Sequence, residues 1–118
     1  MATVSAEIVS GISLADNDLL RHQCYIDGRW EDAEGTITVT NPANNETIGT
    51  VPALGVSETR RAIEAANAAY PAWRSKTAKE RSVLLRKWYE LMIAHQEDLA
   101  TIMTAEQGKP LAESRGEI

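Results

Sequence analysis

A chain of 118 residues is long enough for one ordinary domain, and 43% hydrophobic with 25% charged residues is the composition of a globular protein. Its formal net charge of −5 argues against nucleic acid and anionic lipid as partners. An acidic surface displaces no counterions from a phosphate backbone, and lipid head groups repel it.

No window approaches the roughly 20 consecutive apolar residues of a membrane span. The start, Met1-Ala2-Thr3-Val4-Ser5, lacks the basic region of a secretory signal, and Glu7 interrupts the short apolar stretch that would follow. Cys24, the single cysteine, has no partner for an internal disulfide, so a reducing compartment is expected, the cytoplasm by default. Phe is absent while Trp and Tyr occur three times each, which leaves Ile, Leu, Val and Ala to supply most of a core.

In chain order, residues 1–12 are expected to be loosely held. Ser13-Leu14-Ala15-Asp16 opens a short helical turn running through Leu19-Leu20 to His22. Cys24-Tyr25-Ile26 and Arg29-Trp30-Glu31 flank Asp27-Gly28, a dipeptide that supplies the positive φ of a two-residue hairpin turn. Thr36-Ile37-Thr38-Val39-Thr40 alternates strictly, placing Ile37 and Val39 on one face of a strand. Asn41-Pro42 stops it, and Asn44-Asn45 turns the chain into Thr47–Val51. The expectation is one antiparallel β-ribbon over about 23–52.

Helices follow over about 57–118. Ser57 is read as the first cap, and Ala62, Ile63, Ala66, Ala69, Tyr70 and Trp73 fall on one helical face. Pro71 is expected to end or kink this helix near Tyr70. Thr77-Ala78-Lys79-Glu80 fits a capping box, after which Leu84, Leu85, Trp88, Leu91, Met92 and His95 form an apolar stripe. Trp73, Trp88 and Tyr89 are read as core or interface residues. A third helix carries Leu99, Ile102 and Met103 and closes at Gly108, the natural residue for a left-handed cap. Pro110 opens another, with Leu111, Arg115 and Ile118 beginning its face, and no closing signal follows. That unfinished helix is read as a truncated chain. By patterning alone the segment is α+β, a β-ribbon followed by three to four helices.

The chemistry sought is mostly missing. No glycine pattern forms a phosphate cradle: Gly108-Lys109 resembles the end of a P-loop, but Met103 stands where its first glycine would be. His22 and Cys24 lie two apart with no second pair to complete a metal site, and read as an exposed His beside a half-buried strand Cys. Cys24 sits away from any expected helix N-terminus and has no visible base, so it does not read as a nucleophile. His95 reads as a satisfied helix-terminal residue. Arg60-Arg61, Arg81 and Arg86-Lys87 alternate with Glu58, Glu64, Glu80 and Glu90 as ordinary solvated helix faces.

Three stretches, in this order, go further. Tyr25-Ile26-Asp27-Gly28-Arg29-Trp30 precedes Val39-Thr40-Asn41-Pro42-Ala43-Asn44 and Ile48-Gly49-Thr50-Val51-Pro52. Ala62-Ile63-Glu64-Ala65-Ala66 comes next, with Pro71-Ala72-Trp73-Arg74. Glu106-Gln107-Gly108-Lys109-Pro110-Leu111 then follows Leu84-Leu85-Arg86-Lys87-Trp88. The set resembles the amino-terminal region of the NAD(P)-dependent aldehyde dehydrogenase superfamily, from about Leu14 to Ile118. Asp18-Leu19-Leu20-Arg21, Thr77–Arg81, His95–Ala100 and Glu113–Ile118 resemble most its bacterial, NADP-preferring succinate-semialdehyde branch. The glutarate-semialdehyde branch is similar enough to stand as an alternative.

The resemblance implies an α/β parent enzyme with a Rossmann-like cofactor domain, of which residues 13–118 are the amino-terminal part. It implies a reaction in which a cysteine thiolate attacks the aldehyde, hydride passes to the nicotinamide of NADP or NAD, and a glutamate-activated water hydrolyses the thioester. In the family those residues lie beyond Ile118, with the cofactor-binding residues and the basic pocket for the substrate's distal carboxylate. No catalytic and no cofactor-binding residue is therefore assigned in this chain. Pro71-Ala72-Trp73-Arg74 is not the family's Pro-Trp motif with its oxyanion-site Asn, and Cys24 does not match the nucleophile motif. Two positions match a monovalent-cation site of many members: Val39, through its backbone carbonyl, and Glu106. A small aldehyde substrate and a homo-oligomer, tetramer or dimer, are also implied. The competing reading is a non-catalytic module that presents the Leu84/Trp88/Leu91 stripe to a partner.

Overall fold

The structure, a computed structural model, describes residues 11–118. The expectation of a loose amino terminus falls almost wholly on residues outside that range. The helical turn is a short 3-10 turn at Asn17–Leu19, capped by Asp16, whose carboxylate accepts from the Asp18 amide.

Strands β1 (Cys24–Ile26) and β2 (Arg29–Glu31) form the expected hairpin. Asp27 and Gly28 have φ of 50° and 76°, the pair of positive values that matches the twist of the flanking strands. Tyr25 stands opposite Trp30 with ring centroids 5.1 Å apart. Strands β3 (Thr36–Thr40) and β4 (Thr47–Pro52) pair in a separate sheet. The single ribbon expected over 23–52 is thus two two-stranded sheets. The connection from Asp32 to Gly35 carries other bonds instead: Asp32 accepts from the Gln23 amide group, and the Gly35 carbonyl accepts from the Ala53 amide.

The β3–β4 register runs from Thr36↔Pro52 to Val39↔Gly49 and then shifts to Thr40↔Thr47. Ile48 is the extra residue of a bulge, which lets Ile48 and Gly49 both turn inward.

Helix α1 (Val56–Ser75) is capped at Gly55, not at Ser57. The Glu58 carboxylate reaches back to the Gly55 amide, and the Ser57 hydroxyl donates to Glu58. A carboxylate three residues into a helix chooses its own cap position, and Ser57 already lies inside the first turn. The helix also runs through Pro71 to Ser75. Proline there removes one bond to the Asn67 carbonyl, but Asn67 is exposed and water can supply the loss.

Helix α2 (Ala78–Ala94) starts on the predicted capping box, with both the amide and the hydroxyl of Thr77 donating to Glu80. Arg81 closes the corner with α1 by donating to the carbonyls of Lys76 and Arg74. His95 ends α2 and begins α3 (Gln96–Gln107), which closes at Gly108 in the left-handed region. Pro110 caps α4 (Leu111–Glu117) and is not itself in its first turn.

Among the described residues the buried ones are Ile26, Ile48, Gly49, Pro52, Asp98, Ala100 and Ser114; α1 and α2 contribute none. Trp73, Trp88 and Tyr89, expected in a core or interface, are exposed, as are Leu84 and Leu91. Ile37 is exposed while Val39 is half-buried. The radius of gyration is 16.9 Å, against about 13 Å for a compact 100-residue domain. Among the described residues no helix is long and apolar enough to cross a membrane.

Candidate functional site

The most tightly built junction lies where the β3–β4 connection meets the end of α3. Asn41 organises the turn: its side chain accepts from the Ala43 amide at 2.9 Å, and its carbonyl accepts from the Asn45 amide at 2.7 Å. Its own amide donates to the Glu46 carbonyl at 2.9 Å. Asn45 takes a φ of 61°, a conformation that Asn tolerates better than most side chains. Asn44 and Glu46 exchange two further bonds that brace the turn.

Against this turn sits Gly108. A Cβ there would lie 2.9 Å from Pro42 Cγ and 3.0 Å from the Ala43 amide nitrogen, and the φ of 70° disfavours any side chain. Glycine is required twice at this position, once for conformation and once for approach. Lys109, just past the cap, pairs with Glu117 of α4. Behind it, the Thr104 and Ser114 hydroxyls bond at 2.8 Å in an otherwise sealed contact, since Ser114 is 0% exposed.

The two residues matched to a cation site flank this junction. Val39 is half-buried, three residues before Pro42 and at the bulge, where the ladder is interrupted. Glu106 is exposed, two residues before Gly108. A carbonyl and a carboxylate are hard oxygen donors of the kind that hard cations take. Among the described residues, no three His, Cys, Asp or Glu side chains gather as a metal cluster.

The remaining polar features were not legible in the sequence. Asp98 of α3 is only 9% exposed and accepts from the backbone amides of Ala15 and Asp16 at 2.9 and 2.8 Å. Those two bonds hold its carboxyl below the usual aspartate range, against burial, with His95 adding in the same direction. Arg61 forks onto Glu31 at 3.0 and 2.6 Å, tying α1 to β2 and lowering the Glu31 carboxyl. Arg115 forks in the same way onto Glu97, tying α4 to α3. His22 is half-buried, not exposed: its Nδ1 lies 3.3 Å from the Thr50 carbonyl, and its buried Nε2 has no partner. Cys24 is a half-buried strand thiol opposite Glu31.

Comparison with known proteins gives this arrangement its class. Residues 30–118 match the aldehyde dehydrogenase family, and the chain belongs to it. Over 109 residues it is 63% identical to glutarate-semialdehyde dehydrogenase of Pseudomonas putida. Over the same length it is 57% identical to the NADP-dependent succinate-semialdehyde dehydrogenase of Escherichia coli. Each alignment covers 91% of this chain, which spans 23% of the length of those relatives. The crystal structure of succinate-semialdehyde dehydrogenase from Burkholderia pseudomallei superimposes with a TM-score of 0.85 at 57% identity, over 89% of this chain and 22% of that one. The two small antiparallel sheets and four helices are therefore α+β elements of an aldehyde dehydrogenase fold.

Proposed function

We propose that this chain serves as the amino-terminal part of an enzyme that oxidises succinate semialdehyde to succinate with NADP or NAD. The observation that carries the reading is 57% identity to an NADP-dependent succinate-semialdehyde dehydrogenase, sustained over 91% of the chain. Glutarate semialdehyde is the second reading, favoured by the 63% identity to the Pseudomonas putida enzyme. The two substrates share a terminal carboxylate and differ by one methylene. A pocket discriminates by roughly 10–200-fold on such a difference.

The test is to express the reading frame continued past Ile118 and follow NADPH formation with both semialdehydes, with this 118-residue chain as a parallel control. Activity in the longer product and none in the control supports the reading, and the kcat/KM ratio assigns the substrate. A longer product inert towards both aldehydes sinks it and favours the partner-binding module.

The same reading includes a cytoplasmic homo-oligomer, dimer or tetramer, with no nucleic-acid or membrane partner. It also includes a monovalent cation held by the Val39 carbonyl and Glu106. Support for the cation is the junction between the β3 bulge and the Gly108 cap, which brings both segments together. Its thermal midpoint should rise with potassium or sodium in the parent and not in Glu106→Gln; equal shifts in both would remove the site.

A further inference from the structure

Residues 13–20 cross the start of α3 as a strap, and Asp98 holds them there. Its two carboxylate oxygens accept separately, Oδ1 from the Ala15 amide and Oδ2 from the Asp16 amide. These partners are 83 and 82 residues away in sequence. Asp98 also stands in the first turn of α3, where the helix dipole favours its negative charge. Beyond the clasp, Ser13 at the head of the strap, with Gly11 and Ile12 leading into it, walls a pocket whose other sides are the Asn41–Ile48 turn and Thr101 and Thr104 of α3.

We propose that Asp98 is a carboxylate clasp, and that protonating it releases residues 13–20 as a unit and opens this pocket while the β3–β4 sheet and α3 stay folded. Ionised, the carboxylate accepts an amide strongly on each oxygen; once protonated, one oxygen carries a hydrogen that faces an N–H and accepts only weakly. Local opening of a segment at lower free energy than the whole is general behaviour in folded chains. The charged groups around the clasp are Asp16 and Asp18 on the strap, and His95 and Glu97 on α3. Glu97 is already engaged by Arg115 of α4, which leaves His95 as the neighbouring group able to support the Asp98 anion. The direction follows: the clasp's stabilisation is present above the ordinary carboxylate range and is lost as pH falls through the lowered value in the folded chain.

Amide hydrogen exchange on the full 118-residue chain tests this. In the parent at neutral pH the Ala15 and Asp16 amides should be protected. On acidification they should lose protection at a pH where the β3–β4 ladder amides of Ile37 and Val51, a hydrogen-bonded pair, keep theirs. Asp98→Asn keeps the shape, turns one acceptor into a donor, and should speed exchange at Ala15 and Asp16 roughly tenfold or more at neutral pH. Glu97→Gln removes the neighbouring Arg115 fork and should leave those two amides unchanged. Strap amides already exchanging freely in the neutral parent would overturn the proposal. So would strap and ladder opening together in acid, or equal loosening by Asp98→Asn and Glu97→Gln.

Discussion

Helices α2 and α3 are joined by a single residue, His95, yet they have opposite surroundings. On α3, Asp98 and Ala100 are buried, Thr104 bonds the sealed Ser114, and Gly108 is wedged against the Pro42–Ala43 turn. On α2 no residue is buried, although it carries more large apolar side chains, Leu84, Leu85, Trp88 and Leu91 among them. Apolar periodicity states which side of a helix wants cover, and nothing about whether cover is present. The helix with fewer large apolar side chains is the anchored one because its small residues permit close approach and its polar ones find partners. That contrast makes quantitative claims, and substitutions on the two helices should give very different answers.

The largest effect should come from Gly108→Val. The left-handed conformation costs a branched side chain about 1–3 kcal/mol. A Cβ 3.0 Å from a backbone nitrogen forces the α3 cap off the Asn41–Ala43 turn and adds about 1–3 kcal/mol of overpacking. A denaturant midpoint shift amounting to about 2–5 kcal/mol is expected. A shift under about 1 kcal/mol would mean the cap and turn are not in contact in solution.

Next is Thr104→Ala, which strands the buried Ser114 hydroxyl and should cost about 1–3 kcal/mol. The double change Thr104→Ala with Ser114→Ala should recover most of that loss, since removing both partners leaves no unsatisfied group. If the two losses simply add, the hydroxyls are not paired.

How much of this was legible follows from the range of each signal. Asp27-Gly28, Thr77 with Glu80, and Gly108 announce themselves, because the residue that adopts the conformation is also the one that encodes it. The sequence points to Ser57 and not to Gly55 because the capping signal resides in Glu58, three residues on, and a hydroxyl nearby looks like the cap. Pro71 reads as a stop or a kink because the rule concerns the lost hydrogen bond and not the solvent that replaces it, and the helix continues to Ser75. Asp98 was invisible: an acid in a helix's first turn is ordinary, and its partners are backbone amides more than 80 residues away. Ser114 and Thr104 look like surface polar residues until α4 folds over α3. At the candidate site, Val39 and Glu106 came from family resemblance alone, and the glycine contact that brings their segments together has no signature beyond Gly108 itself.

The smallest effect on stability should be on α2, and it sharpens the contrast most. Burying a Leu or Trp side chain contributes about 1.5–3 kcal/mol, so removing one from a packed position costs at least that much. Leu91 is 61% exposed and Trp88 64%. The double change Trp88→Gln with Leu91→Gln should therefore alter the denaturant midpoint by less than about 1 kcal/mol, since both remain helix formers at exposed positions. Contiguous exposed apolar surface promotes association, so the same change should reduce any concentration-dependent sedimentation of the parent chain. The two readouts separate the possibilities. Stability and sedimentation both unchanged would mean that the stripe is tolerated by water. A loss above about 2 kcal/mol in dilute monomer would mean that α2 packs against the rest of the chain in solution, and the division into an anchored α3 and an uncovered α2 would then fail.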